Sequence, residues 1–197
     1  MEPTYYPEEK PSFWSSFKGK AVEFIEFIAI IGAVFVVLRF FVAEPHKVSG
    51  RSMVPNFQDG DYIITNKISA KSGEFKRGEV VILQNPRNPD QVFIKRVIGL
   101  PNERIGLLNG AVLINSQPIA ETYLPQGTIT PGESFLTDGE EVVVPDGQYF
   151  VIGDNRTGSS DSREWGPVPT ELIIGTAFLR YWPPQEFTLI KIGVESQ

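Results

Sequence analysis

Residues 21 to 43, AVEFIEFIAIIGAVFVVLRFFVA, form a run so apolar that a folded domain can absorb it only against a helical partner of similar character. Nothing downstream repeats a comparable helical period, so the run reads as a single membrane-spanning helix; about 20 residues cross a hydrocarbon core of roughly 30 Å. Its uncharged centre, Phe27 to Leu38, is shorter than that, with Glu23 and Glu26 near one end and Arg39, which can snorkel toward headgroups, near the other. A removable export signal would be followed by a small-residue cleavage site, whereas FFVAEPHK offers Ala43 with Phe41 two places before it. The anchor therefore reads as retained, behind a tail of residues 1–20 that mixes Pro, Glu, Lys and Ser without an apolar period. Lys10, Lys18 and Lys20 precede the run and Lys47 and Arg51 follow it, a small bias toward an inside amino terminus.

Beyond the run the pattern changes to short strands with turn punctuation: GDYIITNKI, GEVVIL, QVFIKRVIG, RIGLLNGAVLIN, EEVVVPDGQYFVIG and ELIIGTAFLRYW. The fold expected is mainly β, an antiparallel sheet or barrel-like domain over residues 44–190, ahead of a short carboxyl-terminal tail, 191–197. Asn109-Gly110 and Asp146-Gly147 read as hairpin turns, because both dipeptides readily take positive φ. Residues 85–91 and 124–135 read as loops.

The 24 acidic residues outnumber 18 scattered basic ones, which excludes the electrostatic footprint of a nucleic-acid binder. The absence of cysteine removes a disulfide framework, a thiol nucleophile and a Cys-based zinc site. A single histidine, His46, removes a two-histidine metal site and makes histidine an improbable general base. Neither a metal nor an organic cofactor is expected.

Three stretches can carry chemistry. In VSGRSMVPNF, Ser52 is a hydroxyl in a segment whose Gly, Pro and Asn also suit an ordinary turn. In QVFIKRVIG the strand period puts Phe93, Lys95 and Val97 on one face. Lys95 there is either half exposed, its stem on the apolar neighbours, or buried; burial would lower its pKa and make it a base able to activate a serine. In GDNRTGSSDSREWGPV, Asp154 with Arg156 and Asp161 with Arg163 can form pairs that fix a loop, and Ser159, Ser160 or Ser162 can hydrogen-bond a neutral lysine.

These blocks, SGRSMVP, FIKRVIGLPNE and GDNRTGSSDSREWGPV, in this order behind an amino-terminal span, resemble the type I signal peptidases of bacteria over roughly residues 27 to 183. The resemblance implies that Ser52 attacks the scissile carbonyl, Lys95 is the general base, and Ser159 orients the lysine. Asp154, Asn155, Arg156, Asp161 and Arg163 would support the site and Met53 would lie beside the substrate pockets. Where some members carry a second serine as oxyanion donor this chain has Gly50, so the backbone of Ser52 and Gly50 would have to serve instead. Asn56-Phe57 also stands where Thr-Leu is frequent. The implied substrates are exported preproteins, cut after Ala-x-Ala-like sites. The implied location is the plasma (inner) membrane, with a single pass, lipid contact and an extracytoplasmic catalytic domain. The competing reading is a catalytically silent anchored β domain that binds exported or envelope proteins.

Overall fold

The computed structural model describes residues 13–191. Its elements are α1 (Phe13–Phe41), β1 (Ala43–Lys47), β2 (Tyr62–Asn66), α2 (Ile68–Ser72), β3 (Val80–Asn85), β4 (Asn88–Gly99), β5 (Arg104–Leu108), β6 (Ala111–Ile114), β7 (Gln117–Pro118), β8 (Glu141–Val143), β9 (Gln148–Ile152), α3 (Ser162–Trp165), β10 (Val168–Pro169), β11 (Ile173–Trp182) and β12 (Thr188–Leu189). The chain divides into two units between Phe40 and Phe41.

The first unit holds all but the last residue of α1, which begins eight residues before the apolar run and ends at Phe41, two residues short of the run's end; Ala43 already belongs to β1. Val22, Phe24, Ile25, Phe27, Ile28 and Phe35 on this helix are all more than half exposed. Among the described residues no helix is long and apolar enough to cross a membrane. The expected tail overlaps α1 from Phe13, and residues 1–12 and 192–197 lie outside the described residues.

The second unit is antiparallel β throughout. One sheet runs β1-β2-β11-β3-β4-β9-β10, with β12 also on β11, and a smaller one runs β7-β6-β5-β8. The larger sheet is an open path ending at β1 and β10, not a closed barrel. Its central strand β3 is buried on both faces: Val80 and Ile82 enter a cluster with Met53, Phe57, Ile63 and Ile94, while Val81 and Leu83 enter one with Val97, Tyr149 and Val151. That follows from the two-residue period of a strand whose apolar residues do not alternate with polar ones. At about 1.5–3 kcal/mol for each large aliphatic side chain fully buried, these two layers hold β3 and β4 rigidly side by side. A third cluster, with Ile98, Ile105, Leu107, Leu136 and Phe150, joins the small sheet to β4 and β9.

Asn109 and Gly110 take φ of 51° and 78° and close the β5–β6 hairpin with Leu108 opposite Ala111. Asp146-Gly147 does not make a hairpin. Gly147 has φ 67°, but β8 before it pairs with β5 and β9 after it pairs with β4, so the chain changes sheets there. Residues 85–91 are not a free loop either, since Asn85 already faces Asn88 in a tight β3–β4 connection. Strand β1 was not expected; AEPHK has no apolar alternation, and it pairs through β2 alone at the sheet edge, where Pro45 is tolerated.

Candidate active site

Ser52 begins a tight turn closed by the Phe57 N–H donating to the Met53 carbonyl at 2.9 Å. The turn is entered through Gly50 at φ 88°, a backbone conformation in which a side chain would be strained. Beneath it Met53 and Phe57 are buried in the core, so the apolar side of the turn points down and leaves Ser52 half-buried at its top. Met53, expected beside a substrate pocket, is 1% exposed and packs with Ile63, Ile82 and Ile94.

Lys95 comes from the neighbouring sheet strand β4 and is 2% exposed, which overturns the half-exposed alternative. Its Nζ donates to Ser52 Oγ at 2.9 Å and lies 4.9 Å from the centroid of the Phe93 ring. Burial lowers its pKa from an ordinary 10.5 to about 8; the carboxylates of Asp161 and Asp154 hold it up against that effect and Arg163 adds slightly to it. Both residues line a cleft of about 110 Å³ whose walls are as polar as they are apolar, with Val48, Ile63, Ile82, Val92 and Ile94 beside His46, Lys47 and Ser49.

The polar loop after β9 supplies the frame. The Asn155 N–H donates to the Ser52 carbonyl at 3.0 Å and its side-chain amide to the Arg51 carbonyl at 3.0 Å, which fastens the Ser52 turn through two bonds. Gly153 is needed here for space: a Cβ on it would collide with Ser159 Oγ and stand 2.5 Å from the Ser52 carbonyl oxygen. Asp161 caps α3 by accepting from the Arg163 N–H, takes the Gly153 N–H at 3.0 Å, and is gripped through both oxygens by the Arg163 guanidinium at 2.8 Å. Arg163 also donates to the carbonyls of Pro131 and Arg156. Both partners are fully buried, a setting in which removing one side leaves an uncompensated charge.

The second expected pair is different from its reading in sequence. Asp154 pairs with Arg96, not Arg156, through contacts of 2.8 and 2.6 Å, and Arg156 pairs with Glu121 while also reaching Tyr123 Oη and Thr130 Oγ1. An arginine two residues along is near in sequence, but Arg96 on β4 approaches Asp154 in the bidentate geometry that guanidinium and carboxylate favour. Ser159, expected to orient the lysine, has a buried hydroxyl that makes no hydrogen bond among the described residues. The Gly50 N–H donates to Asp59 at 2.8 Å, so it is occupied as a donor. Sequence reasoning missed Arg96, Asn56, Glu121 and Tyr123; of these only Arg96, directly after Lys95, carried a local signal.

A hydroxyl hydrogen-bonded to a buried amine of lowered pKa, at a narrow cleft, is an arrangement suited to acyl transfer of the serine-hydrolase kind. Residues 21–182 match the family described as "Signal peptidase, peptidase S26", and the chain belongs to that family. It is 36% identical over 180 residues to the "Probable signal peptidase I-1" of Synechocystis sp., covering 88% of this chain and 86% of the relative. It is 34% identical over 179 residues to "Signal peptidase IB" of Staphylococcus aureus, covering 84% of this chain and 93% of the relative. A crystal structure of a signal peptidase I from Enterococcus faecalis overlaps 52% of this chain and 96% of its own at 27% identity, with a TM-score of 0.42.

Proposed function

We propose that the chain cleaves signal peptides from exported preproteins with Ser52 as nucleophile and Lys95 as general base. The observation that carries this reading is the 2.9 Å contact between Ser52 Oγ and the Nζ of a lysine that is 2% exposed. Neutral Lys95 takes the hydroxyl proton as Oγ adds to the scissile carbonyl. The resulting ammonium protonates the departing amine, and the neutral lysine then activates water against the acyl-enzyme. With Gly50 offering no side chain and its N–H held by Asp59, the Ser52 N–H is the backbone donor left for the oxyanion. Ser159, its hydroxyl buried without a partner, is assigned to the lysine on the family resemblance, and the ion-paired residues Asp154, Arg156, Asp161 and Arg163, together with the hydrogen-bonded Asn155, are assigned support.

Small side chains are expected one and three residues before the cut. An extended peptide turns alternate side chains to the same wall, and a cleft of about 110 Å³ rejects bulk more strongly than it rewards an extra methylene. Anchoring in the plasma (inner) membrane through the apolar run of residues 21–43, with residues 44–190 outside the cytoplasm, belongs to the same proposal; the exposed apolar side chains from Val22 to Val36 support it. Alkaline extraction of cell membranes tests the anchor: release of the chain with peripheral proteins would count against it.

The function is tested by incubating a preprotein carrying an Ala-x-Ala site with wild type, Ser52→Ala and Lys95→Ala in detergent. Cutting after the last Ala by wild type, and by neither folded variant, is the expected result. An inert wild type, or variants that cut equally well, would favour the silent binding domain.

A further inference from the structure

We infer that Asn56 is a positioning residue that sets the distance between Ser52 and Lys95 by closing a ring of contacts around them; this rests on the Ser52/Lys95 reading above. The ring runs from Ser52 to Lys95 by hydrogen bond, along β4 to Arg96, across the ion pair to Asp154, and from Asp154 to Asn56. Asn56 then leads back to Ser52 through Pro55, Val54 and Met53.

The amide of Asn56 spends both its hydrogens on this task. One goes to Asp154 Oδ2 at 2.8 Å, the oxygen that also accepts from Arg96 at 2.6 Å, and the other to the Tyr123 carbonyl at 3.0 Å. The backbone carbonyl of Asn56 accepts from Arg180 at 3.0 Å, and Arg180 is in turn held by Asp61 and Glu186. The Ser52 end of the turn is fastened by Asn155 and the far end by Asn56, and both fastenings lead to neighbouring residues of one loop. A turn held at one end only would let Oγ swing about the Asn155 contact.

An amide fits this place for a chemical reason. It donates to a carboxylate and to a backbone carbonyl at once while adding no charge. Leucine, of similar size, would take the side-chain donor from the Tyr123 carbonyl and leave Asp154 Oδ2 to Arg96 alone, and aspartate would set a second carboxylate against Asp154. The consequences extend to the base. Lys95 faces Asp161, Asp154 and Arg163, and Asp154 is shared with Arg96. Removing the Asn56 donor leaves the Asp154 charge less well satisfied, which favours the ammonium form of Lys95.

The test compares full-length wild type, Asn56→Leu, Asn56→Asp and Asn56→Thr in detergent, with Ser52→Ala and Lys95→Ala alongside, on the same Ala-x-Ala preprotein from pH 6 to 10. Asn56→Leu is expected to lose about 100-fold in kcat with KM within about threefold, the loss that a misplacement near 1 Å produces. Its acid limb should move to higher pH, and that of Asn56→Asp further still. Asn56→Thr, which keeps one donor, should recover kcat to within about tenfold of wild type. A purely structural Asn56 would lower melting temperature and plateau together, leave the acid limb in place and gain nothing from Thr; that pattern, or wild-type kinetics in Asn56→Leu, overturns the inference. Should Ser52→Ala or Lys95→Ala cut normally, the Ser52/Lys95 reading fails first; should both be dead while Asn56→Leu matches wild type, only the positioning role fails.

Discussion

Replacing Lys95 by methionine should abolish cleavage and stabilise the protein at neutral pH. Burial takes the lysine pKa from 10.5 to about 8, and at 1.36 kcal/mol per tenfold change in protonation the fold disfavours the ammonium by roughly 3 kcal/mol. Methionine has a similar length, no charge to desolvate and a flexible apolar stem suited to the space beside Phe93. Against the gain stands one hydrogen bond to Ser52, about 1 kcal/mol. The net expectation at pH 7 is a variant more stable by about 2 kcal/mol. The pH dependence is the sharper feature. Because the folded pKa lies below the unfolded one, the unfolded chain binds more protons between pH 8 and 10.5, so wild-type stability rises with pH across that window. The advantage of Lys95→Met should therefore be complete below pH 8, shrink between 8 and 10.5, and above 10.5 reverse to the lost hydrogen bond. Urea denaturation followed by tryptophan fluorescence at pH 7, 8, 9 and 10.5 measures this. With a slope near 2 kcal/mol per molar urea, the midpoint should move up by about 1 M at pH 7. A variant less stable than wild type at pH 7, or a difference constant from pH 7 to 10.5, would refute the claim that the fold holds this lysine against its charge.

The same lowered pKa predicts that kcat/KM rises with pH through about 8 and then levels off; a profile flat from pH 6 to 10 would remove Lys95 as the base. Asp161→Asn should cost about 3–5 kcal/mol in urea unfolding, because Arg163 stays buried without its counter-charge. In the folded fraction it should move the acid limb to lower pH, since Asp161 is the largest influence holding the Lys95 pKa up. Gly153→Ala should destabilise by about 1–3 kcal/mol through overpacking and lower kcat about 100-fold, since the new Cβ presses on Ser159 and on the Ser52 carbonyl; a near-wild-type rate would show that the loop yields without disturbing the nucleophile.

How far the fold could be read from the chain depended on whether the deciding interaction was local. Asn109-Gly110 specifies a turn, and because β5 and β6 have no other way to pair at that separation the hairpin follows. Asp146-Gly147 specifies a turn just as well, yet the strands on either side find partners in different sheets, a choice made by long-range packing in the cluster that holds both Phe150 and Ile105 rather than by the dipeptide. The ion pairs divide in the same way. Asp161 and Arg163 pair as their spacing suggests because a helix cap places both on one turn. Asp154 reaches instead across to β4, to an arginine that shares its strand with Lys95.

The site separates along a further line, between reagents and their placement. Ser52 and Lys95 were legible through the resemblance of SGRSMVP and FIKRVIGLPNE to the type I signal peptidases; taken alone, a serine among Gly, Pro and Asn suits an ordinary turn and a lysine between Phe and Val suits a half-exposed strand position. Asn56 was invisible as a working residue because an asparagine after a proline in a turn is ordinary. Its importance comes from Tyr123 and Asp154, 67 and 98 residues away, and from a shared carboxylate oxygen that no spacing in the sequence announces. The proposed chemistry rests on residues that a family motif marks, whereas the proposed positioning rests on common polar residues whose partners exist only once the sheets have formed. A substitution at such a common residue should therefore alter rate and pH profile while leaving the recognisable motif intact.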